Sequence, residues 1–123
     1  MSDARIRPRL VVSDASGAID WYVQALGARE VARFEGPEGK VVHAELEVGT
    51  AAFTLKDEDE VDRSPGSGGG AALLDLEFED VDILAARMLA GGATVVFPVE
   101  DRDYGRGGRL LDPYGHAWII TRR

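Results

Sequence analysis

The chain contains no cysteine, which excludes disulfide bonds, thiolate zinc sites and catalysis by a thiol. It also has no run approaching the roughly 18 consecutive apolar residues of a membrane-spanning helix, and residues 1–5 lack the apolar stretch of a secretory signal. Basic residues are scarce, with 14 against 22 acidic ones and a formal net charge of −8. Nucleic-acid binding depends on cations that neutralise phosphates. We therefore expect a cytoplasmic protein with neither nucleic acid nor a membrane as a partner.

The chain has the length of a single domain and consists of two similar halves. At 123 residues it is long enough to bury a core without a disulfide or a structural metal. An acidic run, residues 57–62, and a glycine-rich run, residues 64–70, lie between the halves. The first is typical of a solvated loop and the second of a flexible linker that does not pack.

Both halves show the same order of elements about 65 residues apart, which is typical of an internal repeat. In the first half an apolar strand runs into Asp14, and a helix follows that ends at Gly27. In the second half a strand over residues 73–78 runs into Asp80, and the helix ends at Gly91. Aspartate is a good N-cap and glycine a good C-cap. A unit of this size cannot bury both faces of its own strands, so the two copies are expected to share one structure.

Three further strands follow each predicted helix, so that each half reads βαβββ. In the first half they cover residues 29–35, 40–48 and 51–56, and alternation places Val42, Ala44, Leu46 and Val48 on one face. In the second half they cover residues 93–99, 109–111 and 116–121, with a loop through residues 101–105. The class predicted from this pattern is α+β.

Several short motifs carry a resemblance to a known family. They are Leu10-Val11-Val12-Ser13-Asp14, Ala18-Ile19-Asp20-Trp21-Tyr22, Leu26-Gly27-Ala28, Tyr104-Gly105 and Asp112-Pro113-Tyr114-Gly115-His116-Ala117-Trp118. In this order they resemble the vicinal oxygen chelate superfamily of glyoxalase I, bleomycin-resistance proteins and extradiol dioxygenases, and most of all its small PhnB-like members.

The resemblance covers nearly the whole chain and implies a single glyoxalase/bleomycin-resistance-like domain, residues 1–123. It implies an α+β fold in which two tandem βαβββ modules form a half-open eight-stranded barrel with the helices on the convex face. Module one is residues 6–56, the linker residues 57–70 and module two residues 71–122. A homodimer is also implied, because small members commonly build their clefts between subunits.

In many enzymes of this superfamily a metal is bound on the concave face by residues of the first, third, fifth and last strands. Those positions correspond here to Arg7, Glu45, Leu73 and Ile119. A guanidinium is not a metal ligand and the two aliphatic side chains have no donor atom, so one candidate out of four remains. We therefore predict that the protein binds neither a metal nor a cofactor, and we assign no catalytic residue.

The resemblance also sets which side chains line the concave face. The ligand-binding set predicted in this way is Arg7, Arg9, His43, Glu45, Leu73, Asp75, Glu77, Tyr104 and Ile119. Arg7 and Glu45 are expected to pair, either as a structural replacement for the metal or as ligand contacts. His43 is either a general base or a hydrogen-bonded strand histidine, and Tyr104 either stacks on a ligand or packs.

Three functions are compatible with these residues. The first is a metal-independent binder that sequesters a drug or metabolite, as bleomycin-resistance proteins do. The second is a lyase, isomerase or dioxygenase with an atypical metal site formed by His43, Glu45 and Glu77. The third is a regulatory or accessory dimer with a vestigial cavity. Enzymatic activity is left open, with the binder favoured.

Overall fold

A computed structural model describes residues 3–123 as two four-stranded sheets and two α-helices. Module one contains β1 (Arg9–Val12), α1 (Ala15–Leu26), β2 (Arg29–Glu35), β3 (Val41–Val48) and β4 (Ala51–Asp57). Module two contains β5 (Leu73–Phe78), α2 (Val81–Ala90), β6 (Thr94–Arg102), β7 (Gly105–Leu111) and β8 (Ala117–Arg122).

The two sheets have the same topology, β1-β4-β3-β2 and β5-β8-β7-β6. In each sheet the first and last strands of the module pair in parallel and the other neighbours are antiparallel. The sheets do not close on each other, which gives the half-open barrel. The predicted α+β class, the repeat and the barrel are therefore confirmed.

Both helices begin and end at the residues that the sequence indicates. The Asp14 carboxylate accepts from the backbone N–H of Gly17 at 3.1 Å, and Asp80 accepts from Ile83 at 3.1 Å. Gly27 ends α1 in the left-handed conformation with φ 71°, which glycine adopts without steric cost. No helix within residues 3–123 combines the length and apolar composition needed to cross a membrane.

The core lies between the helices and the convex faces of the sheets. Its largest fully buried side chains are Tyr22, Leu10, Ile19, Leu26, Leu46, Leu55, Leu84, Met88, Leu110, Ile120, His116 and Val12. Most of the strand residues among them alternate with more exposed neighbours, so every second side chain of these strands faces the concave side.

One buried carboxylate joins the two modules. Asp112, only 3% exposed, accepts from the Tyr22 hydroxyl at 2.6 Å and from Trp118 Nε1 at 2.9 Å through Oδ2. Its Oδ1 accepts from the backbone N–H groups of Tyr114 at 2.8 Å and His116 at 3.0 Å. Burial, and then the adjacent carboxylate, raises the pKa of Tyr22 well above its usual range, so the hydroxyl remains a proton donor.

His116 and the two helices add further links between the modules. His116 Nδ1 accepts from the backbone N–H of Ala72 at 3.0 Å, and Nε2 lies 2.9 Å from the carbonyl oxygen of Val11. A neutral ring with its proton on Nε2 satisfies both partners. Trp21 Nε1 donates to the carbonyl oxygen of Gly91 at 2.8 Å. A Cβ on Gly91 would stand 2.7 Å from that indole nitrogen, so the helices approach this closely because the residue is glycine.

The structure differs from the sequence-based expectation in the second module. The predicted loop, residues 101–105, is a hairpin in which β6 runs on to Arg102 and β7 begins at Gly105. Glycines 107 and 108 lie inside β7 because a Cβ at either would stand within 2.7 Å of a backbone carbonyl oxygen. Glycine in a strand commonly marks such a close backbone approach. Because glycine has a low strand propensity, the sequence pattern does not predict this part of β7.

A second difference concerns Val42, which alternation places in the core. Val41 is buried instead, and Val42 is 49% exposed. The register shifts between Phe34, which pairs with His43, and Glu35, which pairs with Val41. This irregularity inserts one extra residue and moves the valine to the other side of the sheet.

The segment between the modules is more ordered than its composition predicts. Asp57, expected in a solvated loop, ends β4 and accepts from the backbone N–H groups of Ala15 and Val41, each at 2.8 Å. Ser64 is buried, and its hydroxyl donates to Glu58 at 2.9 Å. Side-chain acceptors therefore fix a segment whose one large apolar side chain, Val61, is exposed.

We predict that Tyr22→Phe destabilises the protein by about 2 kcal/mol, because it removes a buried hydrogen bond to a charged acceptor. Urea unfolding measures the change. Tyr104→Phe is the matched control, since Tyr104 is 68% exposed and its change should stay within about 0.5 kcal/mol. Equal effects of the two substitutions would contradict the role given to Asp112.

Candidate ligand-binding site

The predicted ligand-binding residues lie on the concave side of the two sheets. Arg9 alternates with buried Leu10, and Ile119 lies between buried Trp118 and Ile120. By the same alternation the other side chains of this set from β3 and β5 face away from the core; they are His43, Glu45, Leu73, Asp75 and Glu77. Arg7 precedes β1, and Tyr104 lies in the turn between β6 and β7.

Module one holds a closed polar network. Arg7 Nη1 donates to Glu45 Oε1 at 2.6 Å, and His43 Nε2 stands 3.5 Å from the other oxygen of Glu45. Arg9 Nη1 lies 2.8 Å from His43 Nδ1 and 3.2 Å from the Thr54 hydroxyl. The predicted pairing of Arg7 with Glu45 is therefore present, and His43 extends it to a second arginine.

The network fixes the chemical state of its members. Arginine is only a donor, so Nδ1 of His43 must accept from Arg9 and the ring proton lies on Nε2, facing Glu45. The hydrogen bond from Arg7, followed by that from His43, lowers the pKa of Glu45. To act as a general base through Nδ1, His43 would have to accept a proton on the lone pair that already accepts a hydrogen bond from Arg9. This favours a structural role for the histidine.

The residues at the four family metal positions do not fit a divalent ion. Arg7 occupies the space beside the single carboxylate, and Leu73 and Ile119 offer no donor atom. Within residues 3–123 no group of three or more His, Asp or Glu side chains converges as ligands would. No hydrogen bond or ion pair in that range joins Glu77 to His43 or Glu45, so the alternative site is not assembled.

The equivalent face of module two carries charges of opposite sign. Arg9 and Asp75 each stand five residues before an N-cap aspartate. Across the sheets, Arg9 aligns with Thr54 and Glu45, whereas Asp75 aligns with Ile119 and then Arg109.

In module two these charges are not neutralised within the chain. Asp75, Glu77 and Arg109 form no ion pair with any side chain in the described range, residues 3–123. By contrast, Arg7 and Glu45 neutralise each other in module one. Module two is therefore the half of the concave face whose carboxylates have no cationic partner among residues 3–123.

Two cavities and a wider groove open onto this face. The first, about 500 Å³, is the crevice between the sheets, where Arg7, Leu73 and Asp75 stand at the rim and Phe53 and Trp118 at the floor. A wider polar groove of about 930 Å³ continues past Asp75 to the start of α2. Leu73 is 56% exposed, so the crevice offers an apolar surface beside a free carboxylate.

The second cavity, about 270 Å³, is formed by Phe97, Arg102, Tyr104, Gly108, Arg109 and Ile119. Sequence reasoning named Tyr104 and Ile119 but not the phenylalanine or the two arginines. Only Arg102 fell in the predicted loop, whereas Phe97 and Arg109 stood in predicted strands without a functional assignment. The alternation of Arg109 with buried Leu110 was the available signal, because it places this arginine on the concave side.

Two βαβββ modules with helices outside and a polar concave face define the vicinal oxygen chelate class. Residues 5–120 match the model of the Glyoxalase/Bleomycin resistance protein/Dioxygenase superfamily. The chain belongs to this family.

Individual relatives extend this assignment. A Mycobacterium bovis protein described as uncharacterized is 41% identical over 124 residues, which cover 94% of this chain and 80% of the relative. The crystal structure of TioX from Micromonospora sp. ML1 has a TM-score of 0.76 and 29% identity, covering 98% of this chain and 96% of TioX. The PhnB protein from Bacillus cereus has a TM-score of 0.71 and 20% identity, covering 98% of this chain and all of that one. At this last identity the similarity shows the fold alone.

We predict that Arg7→Gln raises the pKa of Glu45 toward its ordinary value, because its strongest hydrogen bond is lost. A carboxyl ¹³C titration by NMR measures the shift. The pair stabilises the fold above the ordinary glutamate range, and this contribution disappears as the pH falls through the lowered pKa. Arg5→Gln is the control, since Arg5 is exposed and forms no ion pair in residues 3–123. An unchanged Glu45 titration in Arg7→Gln would contradict the assigned pairing.

Proposed function

We propose that this protein binds a small organic molecule on its concave face without a divalent metal, and so sequesters a drug or metabolite. The observation that carries this proposal is the ion pair of Arg7 with Glu45, at 2.6 Å, at two of the four family metal positions. A guanidinium there neutralises the carboxylate that a metal would need.

The lining of the crevice supports an organic ligand. Ligand sites are mostly apolar with a few placed polar groups, and here Leu73 and the Phe53–Trp118 floor lie beside Asp75. The free carboxylates of Asp75 and Glu77 suit an amine or amide group of the ligand, because an opposite charge or a donor offsets their desolvation. A vestigial cavity would instead be collapsed and apolar.

We expect metal analysis of the protein, produced in medium with added zinc, nickel, manganese and iron, to find far less than one ion per chain. The reason is that Glu45 is paired and Arg9 occupies the Nδ1 lone pair of His43. Plasma emission spectroscopy after desalting gives the ratio. One ion per chain, lost in His43→Ala, would overturn the metal-independent proposal and restore the enzyme alternative.

We expect at least one member of a panel of amine- and amide-bearing drugs and metabolites to raise the melting temperature, with and without EDTA. Calorimetry should then show weaker binding in Asp75→Asn, because the substitution removes the free charge at the crevice. Glu60→Gln is the matched control in the exposed acidic run. Turnover of a compound without retention of it would count against sequestration.

We also propose that the protein is a homodimer, as the family resemblance implies. Apolar side chains are exposed on two of the edge strands, Val31 and Phe34 on β2 and Val95 and Val96 on β6. Light scattering coupled to size exclusion should give twice the 13.3 kDa of one chain. A monomer at tens of micromolar protein would contradict this.

A further inference from the structure

The smaller cavity of module two differs from the rest of the concave face in its charge. It lies between the β6–β7 hairpin and β8, has a volume of about 270 Å³ and contains two arginines, 102 and 109. The chain as a whole carries a net charge of −8. Exposed charges more than about 10 Å away are screened by salt. An anion at this cavity therefore meets the local positive charge rather than the net negative charge of the chain.

Neither arginine is neutralised by a carboxylate. Arg109 forms no ion pair among residues 3–123 and lies over the ring of Phe97, 5.6 Å from its centroid. Arg102 donates to the backbone carbonyl oxygens of Pro98 and Gly107, which orient its guanidinium without cancelling its charge. The nearby carboxylate of Asp101 is already bound by Arg106 at 3.1 Å.

The acidic side chains of the crevice form no ion pair with either arginine among residues 3–123. Arg109 aligns with Ile119, which aligns with Asp75 on the next strand. The backbone positions of Arg109 and Asp75 are therefore two strand spacings apart, roughly 10 Å. An anion at Arg109 would therefore not meet the charge of Asp75 directly.

The walls of the cavity are aromatic and open. Phe97 and Tyr104 are 52% and 68% exposed, and Ile119 contributes an aliphatic surface. Exposed rings beside a guanidinium offer stacking to a flat ring, while the planar fork of arginine matches a carboxylate. The volume is slightly below the usual 300–1,000 Å³ of drug-sized sites, which suits one ring or two fused rings.

We propose that this cavity binds a planar aromatic carboxylate, with the acid group on Arg109 and the ring against Phe97 and Tyr104. The inference rests on the proposed binding function and names one end of its ligand. A ligand that carries an aryl acid at this end and an amine at the other would span from Arg109 to Asp75.

The test uses 2-naphthoate as the probe and 2-naphthamide, of the same shape but neutral, as its control. Calorimetry on the full chain should show naphthoate binding at least about tenfold more tightly, a difference of ~1.4 kcal/mol. Arg109→Gln should remove this preference and leave the amide unchanged. Tyr104→Ala should weaken both compounds. Amide NMR shifts should move at Phe97, Arg109 and Ile119.

Arg63→Gln is the matched control, because it removes the same charge at an exposed position outside the cavity, and it should leave naphthoate binding unchanged. Equal binding of the two compounds, or full binding in Arg109→Gln, would overturn the inference. Binding that weakens as protein concentration rises would instead assign the cavity to a second copy of the chain. If other compounds bind at the crevice while naphthoate does not, the proposed function stands and this inference fails.

Discussion

The Asp112 carboxylate is the constraint on which the arrangement of the two modules depends. A buried carboxylate is costly unless its oxygens receive hydrogen bonds, and here four donors come from both halves of the chain. Tyr22 reaches it from α1, and Trp118 reaches it from β8. Because all four directions must be satisfied together, one relative position of the modules is favoured over the others. The crevice between the sheets takes its width from that position.

Duplication gives the concave face its chemistry. The two modules present equivalent positions to the groove, but one has Arg9 and Glu45 where the other has Asp75 and Arg109. In module one Arg7 neutralises Glu45, and His43 connects this pair to Arg9 by hydrogen bonds. In module two the charges remain separate and free to meet a ligand. The two equivalent surfaces therefore differ in that the carboxylate of one is paired and the carboxylates of the other are not.

Most of the architecture was predictable from local signals. Asp14, Asp80 and Gly27 mark helix ends by their own backbone chemistry, so both helices were placed correctly. The Arg7–Glu45 pair was also anticipated from strand alternation and the family resemblance. The β6–β7 hairpin was not, because Gly107 and Gly108 sit in a strand only for the close approach of neighbouring backbones. Arg102 was missed as a cavity residue for the same reason, because it fell in the predicted loop. The displacement of Val42 depends on a register shift with β2 that no local pattern encodes.

The fastening of residues 57–70 has a consequence for how chains associate. Apart from the chain connection itself, the described contacts between the modules are non-covalent. Module two of another chain would therefore present the same Asp112, Trp118 and His116 to Tyr22 and Val11. Exchange of modules between chains would require this connection to open. Lys56 holds Asp59 and Asp62, each at 2.7 Å, and Glu58 holds Ser64, so opening it sacrifices several bonds without replacement. These bonds in the connection therefore favour docking of the two modules within one chain over exchange of modules between two chains.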